Sequence, residues 1–191
     1  MDTEYSPEQE SFRATMRRFL EDQGGTDFTR SRWCETVPVT AQLWQSLADL
    51  GVTGLLAPEH AGGLAGSMAD MGIVMEEMGR AVHPGPCWAS CVGATSAAAV
   101  FGLDALLRAL ADGSQTATLA VEESGRRFSN WQQARLAVTD DTLNGEKIQV
   151  PDAIGAAYLF VTTNDGVYLV PTDATGLTIT ATECLDGSHR F

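Results

Sequence analysis

The chain has 191 residues, and its composition of 44% hydrophobic and 19% charged residues is that of a globular protein, which excludes intrinsic disorder. Acidic residues outnumber basic ones by 25 to 12, so the formal net charge is −13. Nucleic acids and anionic membranes attract basic surfaces, and the charge therefore argues against both as partners.

The cysteines and histidines show no metal-binding spacing. No pair among Cys34, Cys87, Cys91 and Cys184 has the two-residue gap of a zinc or redox motif, and the three histidines are far apart, so we expect no metal site. The N-terminus is acidic, unlike a signal peptide, and the most apolar stretch is too short to span a bilayer. We expect a soluble cytoplasmic protein with buried thiols.

Residues 1–113 show the apolar periodicity of amphipathic helices. Ser6 followed by Pro7 predicts an N-cap and a proline in the first turn, and the helix that they begin is predicted to end at Gly24-Gly25. A second helix is predicted from near Thr40 to Gly51.

Three more helices are predicted before residue 114. The first begins at Ser67, carries a methionine stripe that favours core packing, and ends near Gly79. The second follows residues 83–86 and is rich in Ala, Gly, Ser and Thr, so we expect it at the centre of the bundle. The third covers residues 103–111.

From residue 114 the pattern changes to short β-branched and aliphatic runs, which predict strands. The predicted strands are residues 116–121, 134–139, 158–163, 167–170 and 177–182. Asn144-Gly145 predicts a hairpin turn. The chain is thus predicted to have an α+β fold, with an all-α helical domain over residues 1–113 and an antiparallel β-barrel or sandwich domain over residues 114–191.

Two local patterns resemble functional motifs but lack the features that those motifs need. Residues 62–66 are glycine-rich but have neither the spacing nor the preceding strand of a dinucleotide-binding loop. Glu122 and Glu123 are neighbours on a predicted strand, where adjacent side chains point to opposite faces, which argues against paired acid–base catalysis. The residues by themselves assign no reaction.

Five short motifs, taken together, resemble the acyl-CoA dehydrogenase family over the whole chain. Each motif is weak alone, but all five follow the family's order at about its separations. They begin at Trp44 (WQSLADLG), Pro58 (PEHAGG), Val74 (VMEEMGR), Ala120 (AVEE) and Leu143 (LNGEK).

The resemblance implies a helical domain, a middle β domain and a C-terminal helical domain. Family members use FAD to take two hydrogens from the α and β carbons of an acyl-CoA thioester, with a glutamate as the base. That glutamate belongs to the C-terminal domain, which we expect to lie outside these 191 residues. No residue of this chain is therefore predicted to be catalytic.

The resemblance also implies where ligands would bind. The residues predicted to contact FAD are Leu119, Val121, Glu122, Gln149 and Pro151, and those predicted to contact the substrate are Ser124, Arg126 and Arg127. Glu122 and Pro151 both stand where the family has threonine. Neither offers a side-chain hydroxyl to the flavin, and proline has no N–H.

Three hypotheses for the function stay open. The chain is a component of an FAD-dependent dehydrogenase acting on an acyl-CoA or carrier-bound thioester, a non-catalytic structural partner subunit, or a small-molecule binding module. Residues 150–153 resemble subunits of actinobacterial heteromeric acyl-CoA dehydrogenases, in which two unlike chains share active sites. We therefore expect FAD to bind weakly or to be shared with a partner, in a homo- or hetero-oligomer with another acyl-CoA dehydrogenase-like chain.

Overall fold

The computed structural model describes residues 4–125, 134–140 and 142–191. Helices come first and strands follow, which confirms the predicted α+β fold class. The helices are α1 (Pro7–Asp22), α2 (Gly25–Ser31), α3 (Ala41–Asp49), α4 (Met68–Arg80), α5 (Thr95–Val100) and α6 (Asp104–Ala111), with a 3-10 turn at Glu59–Ala61 and a π-helix at Cys87–Ala94. The strands are β1 (Ala117–Ala120), β2 (Ala137–Thr139), β3 (Thr142–Asn144), β4 (Tyr158–Thr162) and β5 (Val167–Pro171).

Serine caps begin α1 and α4 at the predicted positions. Ser6 Oγ accepts a hydrogen bond from Gln9 N at 3.2 Å, and the Gln9 side chain accepts one from Ser6 N. Ser67 starts α4 with the same reciprocal cap, which satisfies N–H groups that a first helical turn leaves unpaired. The end of α1 is less simple than predicted, because Gly24 turns through a φ of 101° and a new helix starts at the next residue.

The small-residue helix lies at the centre of the structure, as predicted. Ala94 and Ala98 are fully buried. Its first part is a π-helix, in which the Thr95 hydroxyl donates to the Ser90 carbonyl, five residues back, at 3.0 Å. Ser90 Oγ in turn accepts a hydrogen bond from Ala117 N at 3.4 Å, so β1 starts directly against this helix.

A buried carboxylate joins α1 to α4. Glu77 of α4 is fully buried, and its oxygens accept hydrogen bonds from Arg13 and Arg17 of α1 and from Arg80 of its own helix. The hydrogen bond from Arg17 contributes most to lowering the pKa of Glu77 to about 2, whereas burial acts in the opposite direction. Arg17 and Glu77 are 60 residues apart, so this contact is a tertiary one.

The described strands form a three-stranded sheet in the order β1–β4–β5 and a separate β2–β3 pair. The β2–β3 and β4–β5 pairs are antiparallel, as predicted. The prediction of an antiparallel domain is wrong for β1 and β4, which pair in parallel with Leu119 opposite Phe160. Residues 121–157 connect the two strands, and a connection of this length lets the chain return and enter β4 in the direction of β1.

The turn between β2 and β3 lies before the predicted one. Thr139 pairs with Thr142, so the chain reverses between them, and Asp140 has a φ of 50° there. Asn144 instead ends β3, and the prediction of a hairpin turn at Asn144-Gly145 is wrong. The cross-strand pair of Val138 with Leu143 sets this register, and it outweighs the local turn preference.

The predicted strand at residues 177–182 is not formed. The segment runs along the surface without a sheet partner, and one of its hydrogen bonds joins Thr182 N to Phe191 O at 2.7 Å. Its β-branched composition is compatible with a strand, but a strand also requires a neighbouring edge to pair with.

Three apolar clusters form the core. The first includes Leu20 and Leu47 and lies among the helices, the second includes Leu107 and Phe160 and joins helices to the sheet, and the third, around Leu159, lies in the β half. Among the described residues, no helix combines the length and apolarity needed to cross a membrane.

Candidate functional site

The two segments predicted to contact FAD lie side by side. Ile148 N donates a hydrogen bond to the Glu122 carbonyl at 2.9 Å. The Thr118 hydroxyl on β1 donates to the Pro151 carbonyl at 2.6 Å, across 33 residues of sequence. Residues 118–122 and 148–151 are therefore joined, and we call them the paired segments.

Lys147 connects the paired segments to the sheet. It is the only lysine in the chain, against 11 arginines, and its side chain is 6% exposed. Its Nζ donates to Glu123 Oε1 at 2.7 Å, to Thr162 Oγ1 at 3.0 Å and to the Val121 carbonyl at 3.2 Å. A single ammonium nitrogen carries three N–H donors, whereas each nitrogen of a guanidinium carries at most two.

Glu123 completes this network. Its carboxylate accepts hydrogen bonds from Arg135 N at 2.9 Å and from Leu136 N at 3.0 Å, as well as from Lys147. Burial alone would raise the pKa of Glu123, but these hydrogen bonds outweigh it and lower the pKa to about 2. A carboxylate with so low a pKa is a poor proton acceptor near neutral pH, so its role is to hold the segments in place.

Glu122 has a different environment from its neighbour. The side chain is half-buried, and no described residue donates a hydrogen bond to its carboxylate. Its main-chain carbonyl, by contrast, is occupied by Ile148 N. The two adjacent acids thus have separate surroundings, and nothing pairs them for catalysis.

Two of the predicted FAD contacts belong partly to the core. Leu119 is half-buried and packs on the cluster between the helices and the sheet, close to Gly93, where an added Cβ would lie 3.2 Å from Leu119 Cδ1. Val121 is also half-buried, and its carbonyl accepts the hydrogen bond from Lys147.

The other FAD-predicted residues lie on an unusual stretch of backbone. Gln149 is exposed with a φ of 50°, and Asp152 has a φ of 51°, so non-glycine residues on both sides of Pro151 adopt the left-handed region. Among the residues predicted to contact the substrate, Ser124 is exposed, while Arg126 and Arg127 lie outside the described residues.

The donor groups of the paired segments match a flavin ring poorly. The acceptor atoms of the ring need hydrogen-bond donors, yet Glu122 presents a carboxylate and Pro151 has no N–H. The nearby Thr118 hydroxyl is already used by the Pro151 carbonyl. Glu122 and Pro151 therefore offer a flavin no side-chain hydroxyl, and Pro151 offers no main-chain N–H.

The sequence motifs do not predict the hydrogen-bond network of Lys147 and Glu123. Lys147 belongs to the motif that begins at Leu143, and Glu123 belongs to the one that begins at Ala120. Their contact spans 24 residues and depends on the topology of the β half. A usable signal was present, because a single lysine in an arginine-rich chain suggests a position that guanidinium cannot fill.

A comparison with known protein families shows to which family this chain is related. The model described as "Acyl-CoA dehydrogenase, N-terminal domain" matches residues 6–113, more than half of the sequence. The chain belongs to the acyl-CoA dehydrogenase family. The resemblance inferred from the five motifs is thereby confirmed.

Individual relatives agree with this assignment. Acyl-CoA dehydrogenase IpdE2 of Mycolicibacterium smegmatis is 29% identical over 115 residues, which cover 60% of this chain and 37% of that protein. A variant of the Tcur3481–Tcur3483 steroid ACAD matches with a TM-score of 0.82 and 32% identity, over 96% of this chain and 53% of the other.

The ChsE4–ChsE5 complex of Mycobacterium tuberculosis shows the same fold. Its TM-score is 0.79 at 23% identity, over 95% of this chain and 52% of the other. The chain thus spans about half the length, or less, of the acyl-CoA dehydrogenase relatives that it matches here.

Proposed function

We propose that this chain is a component of an FAD-dependent acyl-CoA dehydrogenase that oxidises the α,β carbon–carbon bond of an acyl thioester. Membership of the family supports the reaction class, and the thioester would be carried by CoA or by a carrier protein. In this proposal residues 1–113 supply a helical domain and residues 114–191 supply a β domain.

The proposal includes a flavin shared with a second acyl-CoA dehydrogenase-like chain. The observation that carries it is the pair of residues Glu122 and Pro151, which offer a flavin a carboxylate and a proline where the resemblance implies two hydroxyl groups. Two of the similar structures carry double names, the Tcur3481–Tcur3483 steroid ACAD variant and the ChsE4–ChsE5 complex, which supports an assembly of unlike subunits. A partner would supply the hydrogen bonds that these two positions lack.

The part of this chain in such a site is positional. Lys147 donates hydrogen bonds to the Val121 carbonyl and to the Glu123 carboxylate. The Thr118 hydroxyl donates one to the Pro151 carbonyl. Ser124, Arg126 and Arg127 would face the thioester, where the two arginines would offset the acidic field of the protein near a CoA phosphate or the FAD pyrophosphate. Replacing both arginines with alanine should then weaken CoA-ligand binding several-fold and flatten its salt dependence.

A second candidate is a non-catalytic partner subunit that completes the fold of another chain's site. The carboxylate at Glu122 favours this candidate, since a negative charge beside a flavin opposes its reduction. The two candidates differ in whether residues of this chain affect the flavin content of the assembly.

The flavin test uses the intact gene product, alone and co-expressed with a candidate partner chain. We expect little FAD with the chain alone and more with the partner, measured as the absorbance ratio between about 450 nm and about 280 nm, where oxidised flavin and protein absorb. Stoichiometric yellow protein from the single chain would contradict a shared flavin.

A variant test asks whether the two altered positions face the flavin. Glu122→Thr combined with Pro151→Thr should tighten FAD binding by about 30-fold or more, because restored hydrogen bonds contribute about 0.5–1.5 kcal/mol each and a misplaced charge is removed. Glu146→Thr, at an exposed acid outside the paired segments, is the matched control and should change nothing. An unchanged dissociation constant in the double variant would place the flavin elsewhere.

A further inference from the structure

A crevice of about 450 Å³ lies between the helical half and the β half. Its walls are residues 36–39 and the start of α3 on one side, and residues 113–116, Asp152 and residues 154–157 on the other. The volume falls within the range of small-molecule sites, about 300–1,000 Å³.

Asp152 lines this crevice and is half-buried, and its carboxylate has no hydrogen-bond partner among the described residues. Its main-chain N–H donates to the Arg190 carbonyl at 2.9 Å, but no described group donates to its side chain. Burial raises the pKa of Asp152 to about 6, although the charges of His189 and Arg190 act in the opposite direction. A carboxylate in such surroundings lacks the donors that normally compensate its burial.

The two nearby cationic groups are already occupied. Arg190 uses all five of its N–H donors on main-chain carbonyls, those of Arg32, Trp33, Glu35, Gly187 and His189. His189 lies against Asp186 and Ser188, with ring-nitrogen distances of 3.0 Å to each. Neither group bonds to Asp152, so the carboxylate is free to accept hydrogen bonds from a ligand.

The other residues that line the crevice suit a ligand with an apolar part beside a positively charged group. Val37, Pro38 and Ile154 are among its aliphatic members, and Trp44 contributes an indole ring. The indole is buried, and its N–H has no hydrogen-bond partner among the described residues, so we assign it to contact with the apolar body and not with the charge. The net charge of −13 further favours a cation over an anion.

We propose that this crevice binds a small organic ammonium ion, with its charged nitrogen at the Asp152 carboxylate and its apolar body against Trp44, Val37 and Ile154. The ammonium N–H groups would satisfy the unpaired carboxylate through charge-assisted hydrogen bonds. Asp152 directly follows Pro151 in the chain, but the two proposals are tested by different measurements, amine binding and flavin content, so either can fail without the other.

The experiment titrates the intact protein with 2-phenylethylammonium at pH 8 and with its neutral analogue 2-phenylethanol, followed by calorimetry in 0.15 M salt. We expect the ammonium probe to bind about tenfold more tightly than the alcohol, the ratio that one charge-assisted hydrogen bond provides. Asp152→Asn should remove this preference and leave the alcohol affinity unchanged. The substitution keeps the main-chain bond to Arg190, so we expect it to fold.

Two further variants locate the binding. Ile154→Trp fills the crevice and should abolish binding of both probes, while Asp140→Asn, at an exposed acid outside the lining, should bind both like the wild type. Equal affinity of the wild type for the two probes would overturn the proposal. So would an ammonium preference that survives Asp152→Asn, or binding that survives Ile154→Trp.

Discussion

The helical half and the β half each contain one carboxylate whose pKa is lowered to about 2, and the two are stabilised in different ways. Glu77 is fully buried and is surrounded by Arg13, Arg17 and Arg80. Glu123 is 12% exposed and is held by Lys147 together with two main-chain N–H groups.

The difference shows that a buried carboxylate has a different structural role in each half. In the helical half, rigid helices already exist, and the arginines around Glu77 join two of them across a long sequence distance. In the β half, the segments around Glu123 have little regular structure, and a lysine and two amides define their path. The first network stabilises the packing of elements, whereas the second determines the shape of a candidate site.

Glu77→Gln should have the largest effect on stability. The amide cannot neutralise three guanidinium groups, and breaking a buried ion pair on one side costs about 3–5 kcal/mol. Chemical denaturation at pH 7 measures the free energy of unfolding. Glu76→Gln is the control, because Glu76 is 48% exposed and pairs with Arg13 at the surface, where such pairs contribute about 1 kcal/mol or less. Equal losses in both variants would mean that burial of Glu77 is unimportant.

Lys147→Met should cost less, about 2–3 kcal/mol, because Glu123 keeps its two main-chain donors. Lys147→Arg should not restore stability, since the guanidinium cannot direct three donors from one atom. Arg135→Met, which removes an exposed cation nearby, is the control and should stay within about 0.5 kcal/mol of the wild type. Full rescue by arginine would show that only the charge matters at position 147.

Glu123→Gln should lower stability by about 2–3 kcal/mol at pH 7 and by much less at pH 2. The pKa of Glu123 falls from 4.5 to about 2 on folding, so its ionised form favours the folded state. That contribution is complete above about pH 4.5 and is lost as the pH falls to about 2. Unfolding curves of both proteins across this range should therefore converge in acid, and a constant gap would contradict the assigned pKa.

Asp152→Asn should have the smallest effect and the opposite sign. Burial raises the pKa of Asp152 from 3.8 to about 6, so its ionisation destabilises the folded state as the pH rises through this window. The variant should be more stable than the wild type by about 1 kcal/mol at pH 7.5, less than the full shift would give because solvent reaches the half-buried carboxylate, and equal to it near pH 3.5. A thermal melting series in the absence of amines measures this, and a less stable variant at pH 7.5 would indicate a hidden partner for the carboxylate.

Much of the candidate site could be anticipated from motifs, but its chemistry could not. The resemblance identified residues 119–122 and 149–151 as two relevant segments, and the structure brings them together through Thr118 and Ile148. The Lys147–Glu123 network and the unpaired Asp152 emerged only from tertiary contacts. No sequence spacing reports that a side chain will be buried beside a particular donor, or left without one.

The sequence by itself determined the features that depend on neighbouring residues. Ser6 and Ser67 cap helices because a serine hydroxyl reaches an N–H three residues later, and this geometry is local. The helical first half and the strand-rich second half follow from apolar periodicity for the same reason.

Only the tertiary structure decided the features that depend on distant residues. β1 and β4 pair in parallel, the β2–β3 turn precedes Asn144-Gly145, and residues 177–182 stay unpaired, although local propensities favoured other outcomes. A strand is stabilised by its neighbour across the sheet and a buried charge by its partners, and both lie tens of residues away. Their positions are set by how the whole chain packs, because the free energy of those contacts is gained only when the elements meet.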